Sequence, residues 1–440
     1  MANAFRKAEW IWRQAPAGRD EFCDFLTVFD ADKQEGSRFL LSIAADSNYT
    51  VWLNGRLAAF GQYADYPDYK IYDKVDVTEF VRDGRNRMVI VAWYYGIDTQ
   101  TYQKGEAGLI FELKDKAGAV LCASGADTLS RLSRDYISGR GDLISGQLGP
   151  TFHYDMRAYD GFVEEGREGF EPSRVCPSIS TDFHIRPNSK LVLKERMPSK
   201  LCMTGHFTYT EPGANACRSM QTAALSYRNP NELNRAHGIT FDKPAQLAMV
   251  NDRGEDGIYF VVDLGAETAG FLDIAIEVAA DCTLDVGYGE HLKDGRCRTS
   301  VRGFWCDVQL KAGRNRDAWR IGVPTSDIVV RRCEFKDTHS LMGVGSELSG
   351  GIRNIYLHDC GTSGDVKMMY YIKTNERRGG VVENIHMDDC WCGSISQMAF
   401  SIRTDVLYQW RDIVPTFVVK PTVIRNINMR NCSAVKASGV

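Results

Sequence analysis

No stretch of this chain stays apolar for the ~18 residues a membrane-spanning helix needs, so no membrane segment is expected. The opening residues, MANAFRKAEWIWRQAPAGRDEF, lack the apolar centre of an export signal, so no signal peptide is expected either. An excess of one charge is also missing. With 53 Lys and Arg against 57 Asp and Glu, the formal net charge is −4, and no basic stripe or charged tail stands out. Nucleic acid is therefore not an expected partner. No Gly-rich phosphate loop, Ser/His/Asp ordering or metal-ligand cluster rises above background, so neither a cofactor nor a metal is expected. The 13 cysteines are odd in number, and the nearest pair, Cys390 and Cys392, is spaced C-x-C rather than C-x-x-C. Scattered thiols without an export signal point to reduced cysteines in the cytoplasm, many of them acting as small core hydrophobes.

Helical periodicity is scarce as well. Short alternating or apolar runs bounded by Gly, Asn and Asp fill most of the 440 residues, which is the pattern of an all-β protein. The stretch SNYTVWLNGRLAAFG (47–61) reads as strand, turn and strand. Asn54-Gly55 would supply the two positive φ angles of a type I′ hairpin. NRMVIVAWYYG (86–96) and AGLIFELKD (107–115) continue the set and give a β-sandwich over residues 1–205. Residues 206–242 are polar and irregular, as in a connector. GIYFVVDLG (257–265), AGFLDIAIEVAA (269–280), CTLDVGYGE (282–290) and FWCDVQLKAG (304–313) then suggest a second sandwich that closes at residue 316. The aromatic residues Trp52, Trp93, Tyr94, Tyr95 and Trp305 alternate along strands and are expected to pack in cores rather than to form a sugar-stacking platform.

From Ser326 the chain repeats itself. SDIVVRRC (326–333), GGIRNIYLHDC (350–360), GGVVENIHMDDC (379–390) and PTVIRNINMRNC (421–432) align on cysteines 333, 360, 390 and 432. Steps of 27, 30 and 42 residues suit coils of a parallel β-helix, the last with a loop insertion. Ile352, Ile355 and Leu357 would point inward, as would Val382, Ile385 and Met387, then Ile424, Ile427 and Met429. Stacking like on like builds a core that no single coil can bury alone. The cysteines would form an interior ladder. The opening coils are missing, which would leave inward apolar residues uncovered at that cut end, and the ending SAVKASGV also reads as an interrupted continuation.

Two resemblances follow from quoted segments. AEWIW (8–12), ADSNYTVWLNGRLAAFGQ (45–62), YDKVDVTEFVRDGRNRMVIVAWYYG (72–96) and VVDLGAETAGFLDIAIEVAADCTLDVGYGEHLKDGR (261–296) resemble the N-terminal part of bacterial α-L-rhamnosidases. That resemblance implies β-sandwich domains that precede, in the family, an (α/α)6 barrel holding the acidic catalytic residues. No helical stretch follows residue 316 here. Glu290 matches a sandwich position rather than a catalytic one. DAWRIGVPTSDIVVRRCEFKDTHSLMGVGSELSGGIRNIYLHDC (317–360) and YIKTNERRGGVVENIHMDDC (371–390) are similar to the polygalacturonases of glycoside hydrolase family 28, which fold as right-handed parallel β-helices. The resemblances meet at Gly313–Arg316, GRNR, a run that also occurs at Gly84–Arg87, where it is read as a turn leading into a strand. It marks either a join between two families or a common β-turn.

The fold class these readings give is all-β, with two jelly-roll-like β-sandwich domains followed by a truncated right-handed parallel β-helix. The domains would be 1–205, 206–316 and 317–440. Glycoside hydrolysis normally takes two carboxyl groups. The polygalacturonase resemblance implies an Asn-x-Asp element and an Asp-Asp pair just upstream of Asp317, where this chain carries sandwich sequence instead. Of the implied site, His339 stands at the catalytic-supporting histidine, without the flanking glycines. Lys373 stands at the uronate-binding lysine, and Tyr371 replaces an arginine, where it would stack on a sugar face. Asp337, Glu347, Asp359 and Asp365 are read as solvated turns or partners of Arg353. Arg377-Arg378 would either line a groove for an acidic polymer or solvate a turn.

Three functions stay open at this point. The chain is a hydrolase of pectic polysaccharide, a non-catalytic binder of galacturonate- or rhamnose-containing polymer, or a non-functional fusion of two enzyme fragments. Product release from polygalacturonate separates the first from the others. Retardation in a pectin gel separates the second from the third. The sequence leaves the oligomeric state open.

Overall fold

The computed structural model describes residues 4–61, 65–99, 102–141, 143–145, 149–187, 200–208, 224–228, 256–263, 271–288, 292–293, 296–297, 304–311, 313–320, 325–335, 338–345, 352–375, 380–406 and 421–437. Every regular element among them is a β-strand. Two sheets dominate the first 190 residues. One runs Arg174–Val175, Ile11–Trp12, Gly108–Lys114, Leu40–Asp46, Lys70–Asp76, Phe183–Ile185, with Val120–Ala123 added beside Gly108–Lys114. The other runs Glu171–Pro172, Leu129–Leu132, Glu21–Ala31, Gly84–Tyr94, Asn48–Leu53, Arg56–Gly61.

Strand alternation explains how both faces of the second of these sheets are used. Cys23, Phe25 and Phe29, with Met88, Ile90 and Ala92, turn toward Trp12, Leu41, Ile43, Leu109 and Phe111 of the facing sheet. Phe22, Leu26, Val89 and Val91 point the other way. They meet Phe152, Tyr154 and Met156 together with Val308 and Leu310 from much later in the chain. A strand buried on both faces needs apolar residues at every position, which is why MVIVAWYY lacks polar alternation. The aromatic residues follow suit. Tyr94 is in the first core, Trp52 and Trp93 pack against the second, and the Phe22 and Trp93 rings stack at 4.7 Å. Trp305 has no described side chain.

The Asn54-Gly55 hairpin forms as its sequence dictates, with φ of 53° and 77° at the two turn residues and strands Asn48–Leu53 and Arg56–Gly61 on either side. The GRNR runs differ from expectation. Both are the first residues of strands, Gly84–Tyr94 and Gly313–Arg320, rather than turns. Only Gly84 bends the chain, at φ 76°, and pairing begins at that residue, Gly84 lying opposite Ala31.

Beyond residue 199, Lys200–Thr208 crosses residue 205 and pairs with both Ala224–Arg228 and Gly257–Asp263. Phe271–Val278 pairs with Gly313–Arg320, and Cys282–Tyr288 with Phe304–Leu310. The far edge of Phe304–Leu310 is taken, in parallel, by His153–Asp155. The early and late parts of the chain therefore share a sheet as well as a core.

The repeat builds two four-stranded parallel sheets. The first holds Thr325–Arg331, Ile352–His358, Val381–Asp388 and Val423–Arg430; the second holds Ser340–Val344, Gly361–Lys373, Trp391–Arg403 and Ser433–Ala437. In the first, Ile352, Val382 and Ile424 lie in register, as do Ile355, Ile385 and Ile427, and Leu357, Met387 and Met429. Their side chains share a core with Met342, Val344, Tyr370 and Ile372 of the second sheet. The cysteines stack at the corner between the sheets. Each thiol donates to a carbonyl of the preceding coil, Cys360 to Val330, Cys390 to Leu357 and Cys432 to Met387, at 3.7, 3.8 and 3.7 Å. Corner residues take positive φ in every coil: Arg332, Asp359, Asp389 and Asn431 before the cysteines, and Asn354, Asn384 and Asn426 within the strands. Asn and Asp tolerate this region because their short side chains bond locally. Burial falls away from the third of the four strands onward: Met368, Tyr370 and Ile372 are buried, whereas their register partners Met398, Phe400 and Ile402 are exposed.

Candidate functional site

The outer face of the second parallel sheet carries the residues that the sequence singles out. Tyr370 and Ile372 point into the core, so Tyr371 and Lys373 point out. Tyr371 lies between Gly343 on one neighbouring strand and Ser401 on the other, and Lys373 lies beside Arg403. A Cβ placed on Gly343 would meet nothing within 4 Å. Tyr371 itself is buried, at 7% exposed. Arg403 is held by Asp405 at 3.1 and 3.2 Å. An aromatic face next to a lysine and an arginine suits a planar or ring-shaped ligand carrying a carboxylate.

His339 lies elsewhere. It precedes Ser340–Val344, its carbonyl accepts from the Lys367 amide, and its Nδ1 is 3.0 Å from Ser340 Oγ. The ladder sets it level with Lys367, so about 20 Å of strand, at ~3.3 Å per residue, separates it from Lys373. The fold does not bring the histidine and the lysine together.

Carboxylates are scarce on this sheet. Its four strands contain one, Asp365, near the start of Gly361–Lys373 and thus at the opposite end from Lys373. Asp365 accepts from Ser394 Oγ. Asp359 occupies a coil corner at φ 52°, and Arg353 pairs with Glu383 at 3.3 Å rather than with Asp359 or Asp365. Glu290, Asp337, Glu347, Arg377 and Arg378 lie outside the described residues.

A second acid cluster went unrecognised in the sequence. Asp24 and Asp135 are buried beneath Tyr154, whose hydroxyl donates to Asp135 at 2.7 Å. Burial pushes the Asp24 carboxyl up to about 7, the nearby Asp135 adds to the rise, and Arg131 opposes it. Burial raises Asp135 too. Two carboxyls with raised pKa would ordinarily mark a reaction centre. Here both are closed to solvent, so no polymer reaches them, and their place is structural. Nothing in the sequence pattern gathers residues 24, 131, 135 and 160. Only the sheet order does so.

Comparison with known proteins bears on the fold. No family model and no curated protein sequence matches the chain. Among solved structures, a GH78 family rhamnosidase of Bacillus sp. GL1 superposes with a TM-score of 0.50 at 17% identity, over 72% of this chain and 52% of that one. An α-L-rhamnosidase of Streptomyces avermitilis, solved with L-rhamnose, gives 0.46 at 19% over 69% and 26%. One from Aspergillus terreus gives 0.46 at 16% over 72% and 32%. The chain thus spans about half the length of the Bacillus enzyme and less of the other two. The Bacillus likeness establishes a shared fold for that part of the chain. Among the described residues no group of three or more His, Cys, Asp or Glu is placed to hold a metal, and no helix is long and apolar enough to cross a membrane.

Proposed function

We propose that this chain binds acidic plant-type polysaccharide, of the galacturonate- or rhamnose-containing kind, without hydrolysing it. In this reading residues 1–205 and 206–316 are rhamnosidase-like β-sandwiches, and 317–440 are the remaining coils of a polygalacturonase-like right-handed β-helix. The in-register stacking of the two parallel sheets supports the solenoid. In this reading Tyr371 and Lys373 survive by descent from glycoside hydrolases, and Lys373 would meet a uronate carboxylate.

One observation favours binding over catalysis. Hydrolysis with inversion needs two carboxyl groups about 6.5–9.5 Å apart; among the described residues the strands that present Tyr371 and Lys373 contain only Asp365, at their far end, and Asp405, just past them, is taken up by Arg403 at 3.1 and 3.2 Å. His339, the expected supporting residue, stands near that far end as well. The test is to incubate the full chain with polygalacturonate and with rhamnose-containing pectin, and to assay new reducing ends. Native electrophoresis through the same polymers is run alongside. Retardation that Lys373→Ala reduces, without product, supports the reading. Product release overturns it in favour of a hydrolase, and the absence of both overturns it in favour of a non-functional fusion.

A further inference from the structure

The first parallel sheet has an outer face of its own, and the repeat organises it into columns. Arg353, Glu383 and Arg425 form one, with Glu383 contacting Arg353 at 3.3 Å and Arg425 at 2.5 Å. Tyr356, His386 and Asn428 form the next, and His358, Asp388 and Arg430 a third. Between the first two runs the amide ladder of Asn354, Asn384 and Asn426. Asn384 donates to Asn354 at 2.8 Å and accepts from Asn426 at 2.6 Å.

An open groove of about 510 Å³ lies here, lined by Asn354, Ile355, Tyr356, Asn384 and His386. The lining residues come from two neighbouring coils, so the groove bridges two adjacent strands ~4.8 Å apart. The Tyr356 and His386 rings meet edge to face at 6.3 Å, and Tyr356 also lies parallel to His358 at 5.7 Å. Asn428 donates to His386 Nδ1 at 3.1 Å, so the third rung braces the second.

We infer that this groove binds a neutral, linear oligosaccharide across its two rungs. The chemistry of the lining selects that class. Aromatic rings offer flat apolar faces for the C–H side of a pyranose. An amide has two N–H donors and two lone pairs, so Asn384, which spends one of each on the ladder, keeps one of each for sugar hydroxyls. The groove lining itself holds no carboxylate, lysine or arginine; its outward side chains are amides, a phenol and an imidazole. Beside it Arg353 and Arg425 share Glu383, and Arg430 is held by Asp388 at 2.9 and 2.8 Å. A polyanion is better met where cations line the groove itself. The site differs from the Tyr371–Lys373 face in its sheet, its residues and the charge of its ligand.

The test is isothermal titration of the full chain with neutral hexasaccharides of glucose, xylose, mannose and galactose, and with galacturonate hexamer. At least one neutral hexamer is expected to bind, about tenfold or more weaker to Tyr356→Ala and to His386→Ala and unchanged with Lys373→Ala. Galacturonate binding should respond in the reverse sense, so failure of either site is read separately. Thermal melts verify that each variant folds, and Tyr356→Phe combined with His386→Ala replaces Tyr356→Ala if that variant does not. Absence of binding by all four neutral hexamers overturns the inference. So does binding that ignores both groove substitutions or that falls with Lys373→Ala.

Discussion

Arg131 and Asp24 form an ion pair closed off from water: Arg131 Nε donates to Asp24 Oδ2 at 3.0 Å, with side chains 4% and 0% exposed. The other guanidinium nitrogens grip Asp160 at 2.6 and 3.1 Å, and the rings of Phe162 and Phe170 lie 4.9 and 4.4 Å from the guanidinium carbon. The pair therefore ties the outer face of the six-stranded sheet to the 160–170 loop that covers it.

Removing only the arginine should be costly. In Arg131→Met, Asp24 keeps its burial and loses its counter-ion, and Asp160 loses both bonds. Breaking a buried pair from one side costs about 3–5 kcal/mol. The expected result is a fall of several degrees in the melting midpoint of the variant, with a smaller fall in Arg131→Lys, which keeps the charge and loses the fork. Equal midpoints in Arg131→Met and the parent chain would show that the network contributes nothing net.

The same carboxyl sets a pH dependence. Asp24 Oδ1 is buried without a hydrogen-bond partner, and burial followed by the Asp135 charge raises the group to about 7. Its pKa in the unfolded chain is near ~3.9. Between those values the folded state holds the extra proton, so this group's contribution to stability is full below about pH 4. That contribution is lost as pH rises through about 7. Melting midpoints should therefore fall between pH 5 and 8, and Asp24→Asn should flatten that slope. A slope unchanged by Asp24→Asn would assign the dependence to other groups.

Much of the first parallel sheet is legible in its sequence because the repeat itself carries register. The inward slots read from residues 352–357, 382–387 and 424–429 are those that pair in the first parallel sheet. The hairpin at Asn54-Gly55 is legible for a different reason, since two adjacent positive φ angles leave few residue choices. The second parallel sheet is harder to see. Its strands differ in length and carry irregular pairing near Val366, so no common pattern survives in the sequence. The separation of His339 from Lys373 is also invisible there, because family resemblance conveys residue identity and not distance along a strand. Least legible is the Asp24–Arg131 cluster, whose members are adjacent only through the order of strands in one sheet.

The amide ladder gives a prediction that separates backbone from side chain. Asn384 sits at φ 57° and joins Asn354 to Asn426. Asn384→Ala loses two hydrogen bonds and retains a Cβ in a left-handed conformation. At roughly 0.5–1.5 kcal/mol per bond and a further ~1 kcal/mol for the conformation, a loss of about 2–4 kcal/mol is expected. Asn384→Gly loses the same bonds but relieves the conformational strain, so its loss should be smaller by about 1 kcal/mol. Chemical denaturation followed through the solenoid's buried Tyr370 would measure both. Equal losses in the two variants would mean that the left-handed backbone costs the alanine nothing.

The cysteine ladder should be chemically silent while the chain is folded. Burial pushes the Cys390 thiol up to about 12 and raises those of Cys360 and Cys392. All three are buried, and Cys360 and Cys390 also bond carbonyls of the preceding coil. Thiolate is the reactive form, so at pH 8 these groups have neither the charge nor the access to attack an alkylating reagent. Cys333 stands at the exposed start of the same ladder. Short treatment with iodoacetamide followed by peptide mapping should label Cys333 well before Cys360, Cys390 or Cys392, which should react only once denaturant opens the coils. Simultaneous labelling of Cys333 and Cys390 under native conditions would mean that the coils open on the timescale of the reagent, and that the corner bonds between them are too weak to hold the stack closed.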